Sequence, residues 1–82
     1  MIDIIDFEKV KHITAKEYLK GEEFASDMFE AKYSHTKENG VKETPAEVFW
    51  RISDGLSEFE KEADKNHYKN MWFSLLWDAW LS

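Results

Sequence analysis

The pattern of apolar and polar positions is clearest between residues 44 and 66. Thr44, Pro45 and Glu47 indicate a helix start, because a threonine N-cap accepts from the third helical amide and proline costs nothing at the first helical position. Apolar residues then recur at spacings of three and four, which predicts an amphipathic helix of about five turns ending near residues 62–66. Its apolar face is predicted to consist of Phe49, Ile52, Leu56, Phe59 and Ala63, and its polar face of Glu47, Arg51, Asp54, Glu58 and Lys61.

Thr14 and Glu17 have the same capping-box spacing and predict a second helix start. The helix predicted from there runs through residue 33. Gly21 lies inside it, lowers helix stability by about 1 kcal/mol relative to alanine, and can divide the helix into two pieces. The residues expected to be buried are Tyr18, Ala25, Met28, Phe29 and Tyr33.

Residues 1–13 have apolar positions without a clean period, and we interpret them as a docking arm. A short strand, a turn of helix and an extended segment all fit this arm. Its apolar residues are Ile2, Ile4, Ile5, Phe7, Val10 and Ile13.

Asn39 and Gly40 form a hairpin signal, because both residue types tolerate positive φ. The flanking residues are mostly polar, so a short hairpin and a simple loop fit this stretch about equally well.

The last helix is predicted over residues 65–81, with Asp64 as its cap. On a helical wheel its polar residues, His67, Asn70, Ser74 and Asp78, share one narrow sector, and its apolar residues sweep roughly 200°. One neighbouring helix cannot cover so wide a sweep, and large exposed apolar patches usually mark contacts with another chain or domain. We therefore predict a partner interface formed by Trp72, Phe73, Leu76, Trp77 and Trp80.

Charge and composition narrow the classes of partner. The formal net charge is -6, and the basic residues are scattered among acidic ones, so no nucleic-acid-binding surface is indicated. The N-terminus lacks the positive region of a signal peptide, and no apolar run approaches ~18 residues, so we expect no membrane span and a cytoplasmic location. One acidic cluster is most simply a solvated helix face, although it also fits a surface for a basic partner or a nucleic-acid mimic. It consists of Asp54, Glu58, Glu60, Glu62 and Asp64.

The residues that could carry chemistry are few. The chain has no cysteine, and its three glycines are isolated, so neither a thiolate site nor a phosphate-binding loop is indicated. His12, His35 and His67 lie on different predicted elements, and Asp64 with His67 forms one imperfect half of a carboxylate–histidine metal motif. We therefore predict no catalytic, cofactor-binding or metal-binding residue in this chain.

Three stretches, in order, resemble the N-terminal helical region of ribonucleotide reductase catalytic subunits, especially compact phage and bacterial versions without an ATP-cone. They are ITAKEYLKGEEFASDMFEAKYS, KETPAEVFWRISDGLSEFE and YKNMWFSLLWDAWLS. In that family a segment like FEAKY closes the first helix, a short loop leads into a helix start, and a tryptophan-rich helix leads into the ten-stranded α/β barrel. The residues that match the helix-start pattern are Thr44, Pro45, Glu47, Phe49 and Arg51.

The resemblance implies a structural role within an enzyme. The family's radical-forming thiol, its redox-active cysteine pair and its substrate-binding Glu and Asn all lie downstream of this region, so no catalytic residue is transferred to this chain. Ser82 lies near the family's phosphate-binding loop without an assigned role. The implied partner is a polypeptide that carries the barrel, with the chain as a split subunit or an excised fragment. The complete reductase would need adenosylcobalamin or a separate metal-containing radical subunit.

The sequence thus predicts an all-α fold of about three helices with a short Asn-Gly hairpin or loop, in which residues 1–82 form one helical N-terminal domain of a barrel protein. A second hypothesis comes from another class of function. In it the chain is a free-standing small acidic interaction or inhibitor protein of phage type, which grips a target with its aromatic C-terminal helix.

Overall fold

The computed structural model describes residues 3–81, without the side chain of residue 81. These residues form five α-helices, where the sequence predicted about three. Within that range there is no strand, and the chain is mostly helical, as an all-α class requires. Met1 and Ile2 of the predicted arm, and Ser82, lie outside the described residues. The helices are α1 (Phe7–Val10), α2 (Ala15–Tyr18), α3 (Glu23–Tyr33), α4 (Pro45–Leu56) and α5 (Lys65–Leu81).

Both predicted capping boxes are present. The amide of Glu17 donates to Thr14 Oγ1 over 3.1 Å, and the amide of Thr14 donates back to Glu17 Oε1 over 3.1 Å. Thr44 and Glu47 make the same pair of bonds, over 3.4 and 2.9 Å. The caps satisfy amides that have no partner inside a helix, so local chemistry alone sets where α2 and α4 begin.

Helix α2 ends after one turn, and the predicted division at Gly21 is confirmed. Lys20 and Gly21 have φ of 58° and 80°, the left-handed conformation that glycine adopts without steric cost. The Gly21 amide donates to the carbonyl of Lys16 over 2.7 Å, which closes the helix end. The chain turns there, and α3 starts at Glu23.

Helix α4 is shorter than predicted. It ends at Leu56, where the buried Ser57 donates its hydroxyl to the carbonyl of Asp54 over 3.1 Å. Residues 57–64 form a connection, because α5 packs back along α4 and the chain must reverse its direction between them. The prediction of a buried face through residue 63 was therefore wrong. Leu56, Phe59 and Ala63 are exposed.

Helices α4 and α5 run antiparallel and form the centre of the fold. The rings of Trp50 and Phe73 lie 5.4 Å apart, and those of Phe49 and Trp77 lie 6.4 Å apart, so contacts advance along α4 as they go back along α5. Other helices add stacked, edge-on and tilted rings to this pair. The buried apolar core consists of Ala15, Tyr18, Phe29, Ala46, Val48, Phe49, Phe73 and Trp77.

Helices α4 and α5 each bury a serine in the interior of the fold. Ser53 and Ser74 are fully buried, and each donates its hydroxyl to the carbonyl four residues earlier, over 2.7 and 2.8 Å. This bond gives each buried hydroxyl an acceptor within its own helix, so no partner from another helix is needed. Ser53 occupies the interior on α4, while Ile52, predicted to be buried, is only half-buried.

The arm docks on the chain itself and contains one turn of helix. Asp6 caps α1 by accepting from the amide of Glu8 over 3.0 Å. The Phe7 ring stacks on Trp50 at 4.6 Å and meets Phe73 edge-on at 5.6 Å. The described part of the arm therefore covers the junction of α4 and α5.

The Asn39-Gly40 turn is a loop with minimal pairing. Lys37 donates its amide to the carbonyl of Val41 over 2.8 Å, and one isolated antiparallel bridge joins Thr36 and Lys42. Gly40 has φ of 84°, as its position in the turn requires.

Candidate interaction surface

The five residues of the predicted partner interface differ in accessibility. Phe73 is fully buried and Trp77 is 7% exposed, whereas Trp72 and Trp80 are 36% and 42% exposed. Leu76 is half-buried. Phe73 and Trp77 belong to the chain's own core and have no surface to offer a partner. The tryptophans that a second molecule could contact are Trp72 and Trp80.

A buried serine explains how α5 is oriented. Ser74 Oγ accepts a hydrogen bond from the amide of Ile5 in the arm, over 2.8 Å. The polar sector of α5 therefore faces inward at Ser74, where the arm needs an acceptor. Trp72 lies about 200° from Ser74 around the helix, so this orientation turns Trp72 outward.

A second hydrogen bond locks the same orientation. The Tyr18 hydroxyl donates to the carbonyl of Trp77 over 2.6 Å, and the two rings lie 4.4 Å apart. Burial, and then the negative charge of Asp78, raise the pKa of Tyr18 above its usual range, so the hydroxyl remains a donor. This bond holds α2 against α5, so the role of the Tyr18 hydroxyl is structural.

The outward face of α5 carries an apolar stripe. Trp72, Leu75 and Ala79 are exposed at spacings of three and four, and Leu76 is half-buried beside them. We call these first three residues the α5 stripe. Their spacing is the one by which a helix packs against a neighbouring element.

An open aromatic groove lies between α3 and the C-terminal part of α5. Its volume is about 330 Å³. Trp80 forms one wall, with ring centroids 5.3 Å from Phe29 and 5.5 Å from Tyr33, and Phe24 at the other side is 74% exposed. The described residues that line the aromatic groove are Phe24, Ala25, Met28, Phe29, Lys32, Tyr33 and Trp80.

The groove overturns part of the predicted burial of α3. Met28 and Tyr33 are exposed, whereas Phe29 is buried as predicted and Ala25 is half-buried. Helix α3 lies beside the α4–α5 pair and presents only one edge to it, so its neighbouring edge has no cover within residues 3–81. Sequence reasoning missed Phe24. Its recurrence with Met28 at a spacing of four was the available signal.

Ion pairs fasten the loop after α3. Arg51 Nη2 donates to Glu43 Oε1 over 3.0 Å and to the carbonyl of Tyr33 over 2.9 Å, and Glu43 also accepts from the amide of His35 over 2.9 Å. Burial would raise the pKa of Glu43, but the bonds from Arg51 and His35 and their charges outweigh it and lower the pKa.

Glu47 combines its cap with a second ion pair. Lys37 Nζ lies 3.1 Å from Glu47 Oε2, and Thr44 donates its amide to Oε1 of the same carboxylate. Burial favours the neutral acid, yet these bonds and the Lys37 charge lower the pKa of Glu47. Both carboxylates are thus used in folding.

A polar cavity of about 480 Å³ lies where α4 ends and α5 begins. Two ion pairs occupy its walls, Lys69 with Asp54 and Lys65 with Glu62, each with a separation of 3.1 Å. The charges along this cavity largely neutralise one another.

The remaining candidates for chemistry are dispersed. His12, His35 and His67 are all exposed and lie on separate elements. Among the residues that the structure describes, no group of three or more His, Cys, Asp or Glu side chains could hold a metal ion. Within the same part of the chain, every helix is too short or too polar to cross a membrane.

Comparison of the chain with protein-family models, with curated proteins and with solved structures gives no match. The function of the chain must therefore be inferred from its surface geometry and its sequence pattern.

Proposed function

We propose that this chain is the N-terminal helical piece of a ribonucleotide reductase catalytic subunit and completes the barrel in which ribonucleotides are reduced to deoxyribonucleotides by radical chemistry. The resemblance of three ordered stretches supports this proposal. The observation that carries it structurally is the uncovered apolar surface formed by the α5 stripe and the aromatic groove.

The role assigned to the chain is structural. A barrel polypeptide would cover Trp72 on the α5 stripe and Trp80 in the groove, with Leu76 at the edge of the contact. Each 100 Å² of apolar surface removed from water contributes about 2.5 kcal/mol. Phe73 and Trp77 would act indirectly, since they hold α5 against the core.

The chemistry of the reaction belongs to the partner. Adenosylcobalamin or a metal-containing radical subunit would supply the radical, and the barrel polypeptide would supply the thiols. No residue of this chain is assigned to either, and no cysteine is present in it.

A first test is genetic. We expect the reading frame downstream of this chain, or the continuation of the same frame, to encode the first strand of the barrel. The rival hypothesis, a free-standing acidic interaction protein, expects no barrel there, although it uses the same apolar surface.

A second test is biochemical. The barrel polypeptide encoded downstream is purified alone and titrated with this chain in a calorimeter, and ribonucleotide reduction is measured with and without the chain. We expect a complex of one to one and activity that depends on both polypeptides. A chain that is monomeric, cooperatively folded and inert towards the barrel polypeptide would exclude the proposed function. Co-purification with an unrelated target would then favour the rival.

A further inference from the structure

Phe59 is the most exposed large apolar side chain among the described residues. It is 94% exposed in the connection between α4 and α5, and Leu56 beside it is 45% exposed. Aromatic side chains this accessible lose the favourable burial that they gain in a core. Phe59 therefore contributes little to the chain's own packing, and its ring is available to a partner.

The backbone on both sides of Phe59 is ordered by hydrogen bonds. The amide of Glu60 donates to the carbonyl of Ser57 over 3.1 Å, and Ser57 itself is anchored in the interior. Further along, the amide of Asp64 donates to the carbonyl of Lys61 over 2.8 Å. The connection presents Phe59 on a fixed turn, which lowers the entropic cost of docking the ring into a partner.

The residues around Phe59 are mostly acidic, which indicates the charge that a partner surface would carry. Within residues 54–64 there are five acidic residues and one lysine. Asp54 and Glu62 form ion pairs with Lys69 and Lys65, whereas Glu58 and Glu60, the two residues next to Phe59, make no ion pair within residues 3–81. A protein surface that receives Phe59 must therefore place positive charge around an apolar socket.

We propose that Phe59 is an anchor residue that enters an apolar socket bordered by lysine or arginine side chains on the barrel polypeptide. The proposal rests on the proposed function, and it adds a contact that is chemically different from the apolar stripe. The aromatic groove lies near the C-terminal end of α5 and Phe59 precedes its N-terminus, so about 25 Å of helix separates the two contacts. Variants at one contact leave the other intact.

The first experiment measures the affinity of the purified barrel polypeptide for the parent chain, for Phe59→Ala and for Phe59→Leu. We expect Phe59→Ala to weaken binding by about tenfold to a hundredfold, as for a central anchor, and Phe59→Leu to lie between it and the parent. The midpoint of thermal unfolding of the free chain should stay unchanged, because Phe59 packs against nothing in it. A lowered midpoint would contradict the proposal by showing that the ring stabilises its own chain.

The second experiment tests the charge. Glu58→Lys combined with Glu60→Lys should weaken binding about tenfold or more and reverse its dependence on salt between 50 and 300 mM, on the order of the range over which exposed charges become screened. Glu22→Lys combined with Glu38→Lys, at two exposed glutamates, changes the net charge by the same amount. It is the matched control and should bind as the parent does.

The outcomes separate the two proposals. If the parent chain does not bind the barrel polypeptide, both the proposed function and the anchor fail. If the parent binds and Phe59→Ala binds equally well, the anchor alone is refuted. If Phe59→Ala binds weakly but the variant with lysine at Glu58 and Glu60 binds as well as the Glu22 and Glu38 control, the basic border of the socket is refuted.

Discussion

Helices α4 and α5 pack against each other over the same aromatic core, yet they differ in what decided their buried faces. On α4 the pattern correctly places Arg51 and Asp54 outside and Phe49 inside, although Leu56 at the helix end is exposed. On α5 more than half of the circumference is apolar, so several orientations would bury a similar area. Two hydrogen bonds, to the Ser74 hydroxyl and to the Trp77 carbonyl, select one of them.

This contrast explains where the candidate interaction surface of the chain comes from. An amphipathic helix such as α4 has an apolar face narrow enough for its neighbours to cover most of it. A helix that is apolar on most sides cannot, and whatever the fold leaves uncovered remains available to a partner. Trp72 is exposed on the side of α5 opposite Ser74, whose hydroxyl accepts the bond from the arm.

The greatest loss of stability is expected when Phe73 is truncated, and the neighbouring Trp72 provides the comparison. Phe73→Ala should lower the free energy of unfolding by about 3–5 kcal/mol, because it opens a cavity in the core. Trp72→Ala should lower it by about 1–2 kcal/mol, since that ring is 36% exposed and only partly packed. Chemical denaturation followed by circular dichroism measures both. Equal losses would mean that α5 is oriented differently.

The next comparison breaks the link between the arm and α5. Ser74→Ala leaves the partly buried amide of Ile5 without its acceptor and should cost about 1–2 kcal/mol. Ser53→Ala is the matched control. It removes only a bond to a carbonyl of its own helix and should cost less than about 0.5 kcal/mol. Hydrogen exchange at the Ile5 amide should accelerate in Ser74→Ala alone.

A smaller effect separates the two threonine caps. Thr14→Ala should cost about 0.5–1 kcal/mol, as the loss of an N-cap usually does. Thr44→Ala should cost about 1–2 kcal/mol, because Thr44 Oγ1 also donates to the carbonyl of Lys11 over 2.8 Å and so holds the arm. Thermal unfolding of the two single variants gives the difference. Identical losses would show that the bond to Lys11 contributes nothing.

The weakest effect is a dependence on pH that belongs to α4 and the loop before it. The folded-state pKa values of Glu43 and Glu47 lie below the ordinary 4.5, so their contribution to stability is present above that pH and is lost as the pH falls through the lower values. Because both groups are partly solvated, we expect each to contribute at most about 1 kcal/mol. Glu43→Gln should flatten the acid limb of the unfolding profile. Glu22→Gln, at an exposed glutamate, serves as the control and should leave it unchanged.

The sequence predicted that the candidate surface lies on α5, but it predicted only some of the residues that form it. The width of the apolar sweep on α5 correctly indicated more apolar surface than one neighbour covers. It could not show that Trp72 is exposed and Phe73 is buried, because the two residues are adjacent in sequence and similar in chemistry. The groove beside α3 escaped prediction because Met28 and Tyr33 both lie within about 100° of the buried Phe29 around the helix. Residue spacing alone therefore does not separate the covered edge of α3 from the uncovered one.

Local sequence was sufficient to specify the starts of α2 and α4, the interruption at Gly21 and the extent of α5. These features rest on hydrogen bonds and backbone preferences that act within a few residues. Packing between distant segments was needed to end α4 at Leu56, to leave Phe59 in solvent and to turn Ser74 inward. Each of these depends on a group brought near from elsewhere in the chain. The chain reverses after α4 because α5 packs back along that helix. Ser74 is turned inward because its hydroxyl accepts a hydrogen bond from the amide of Ile5, sixty-nine residues away in the arm.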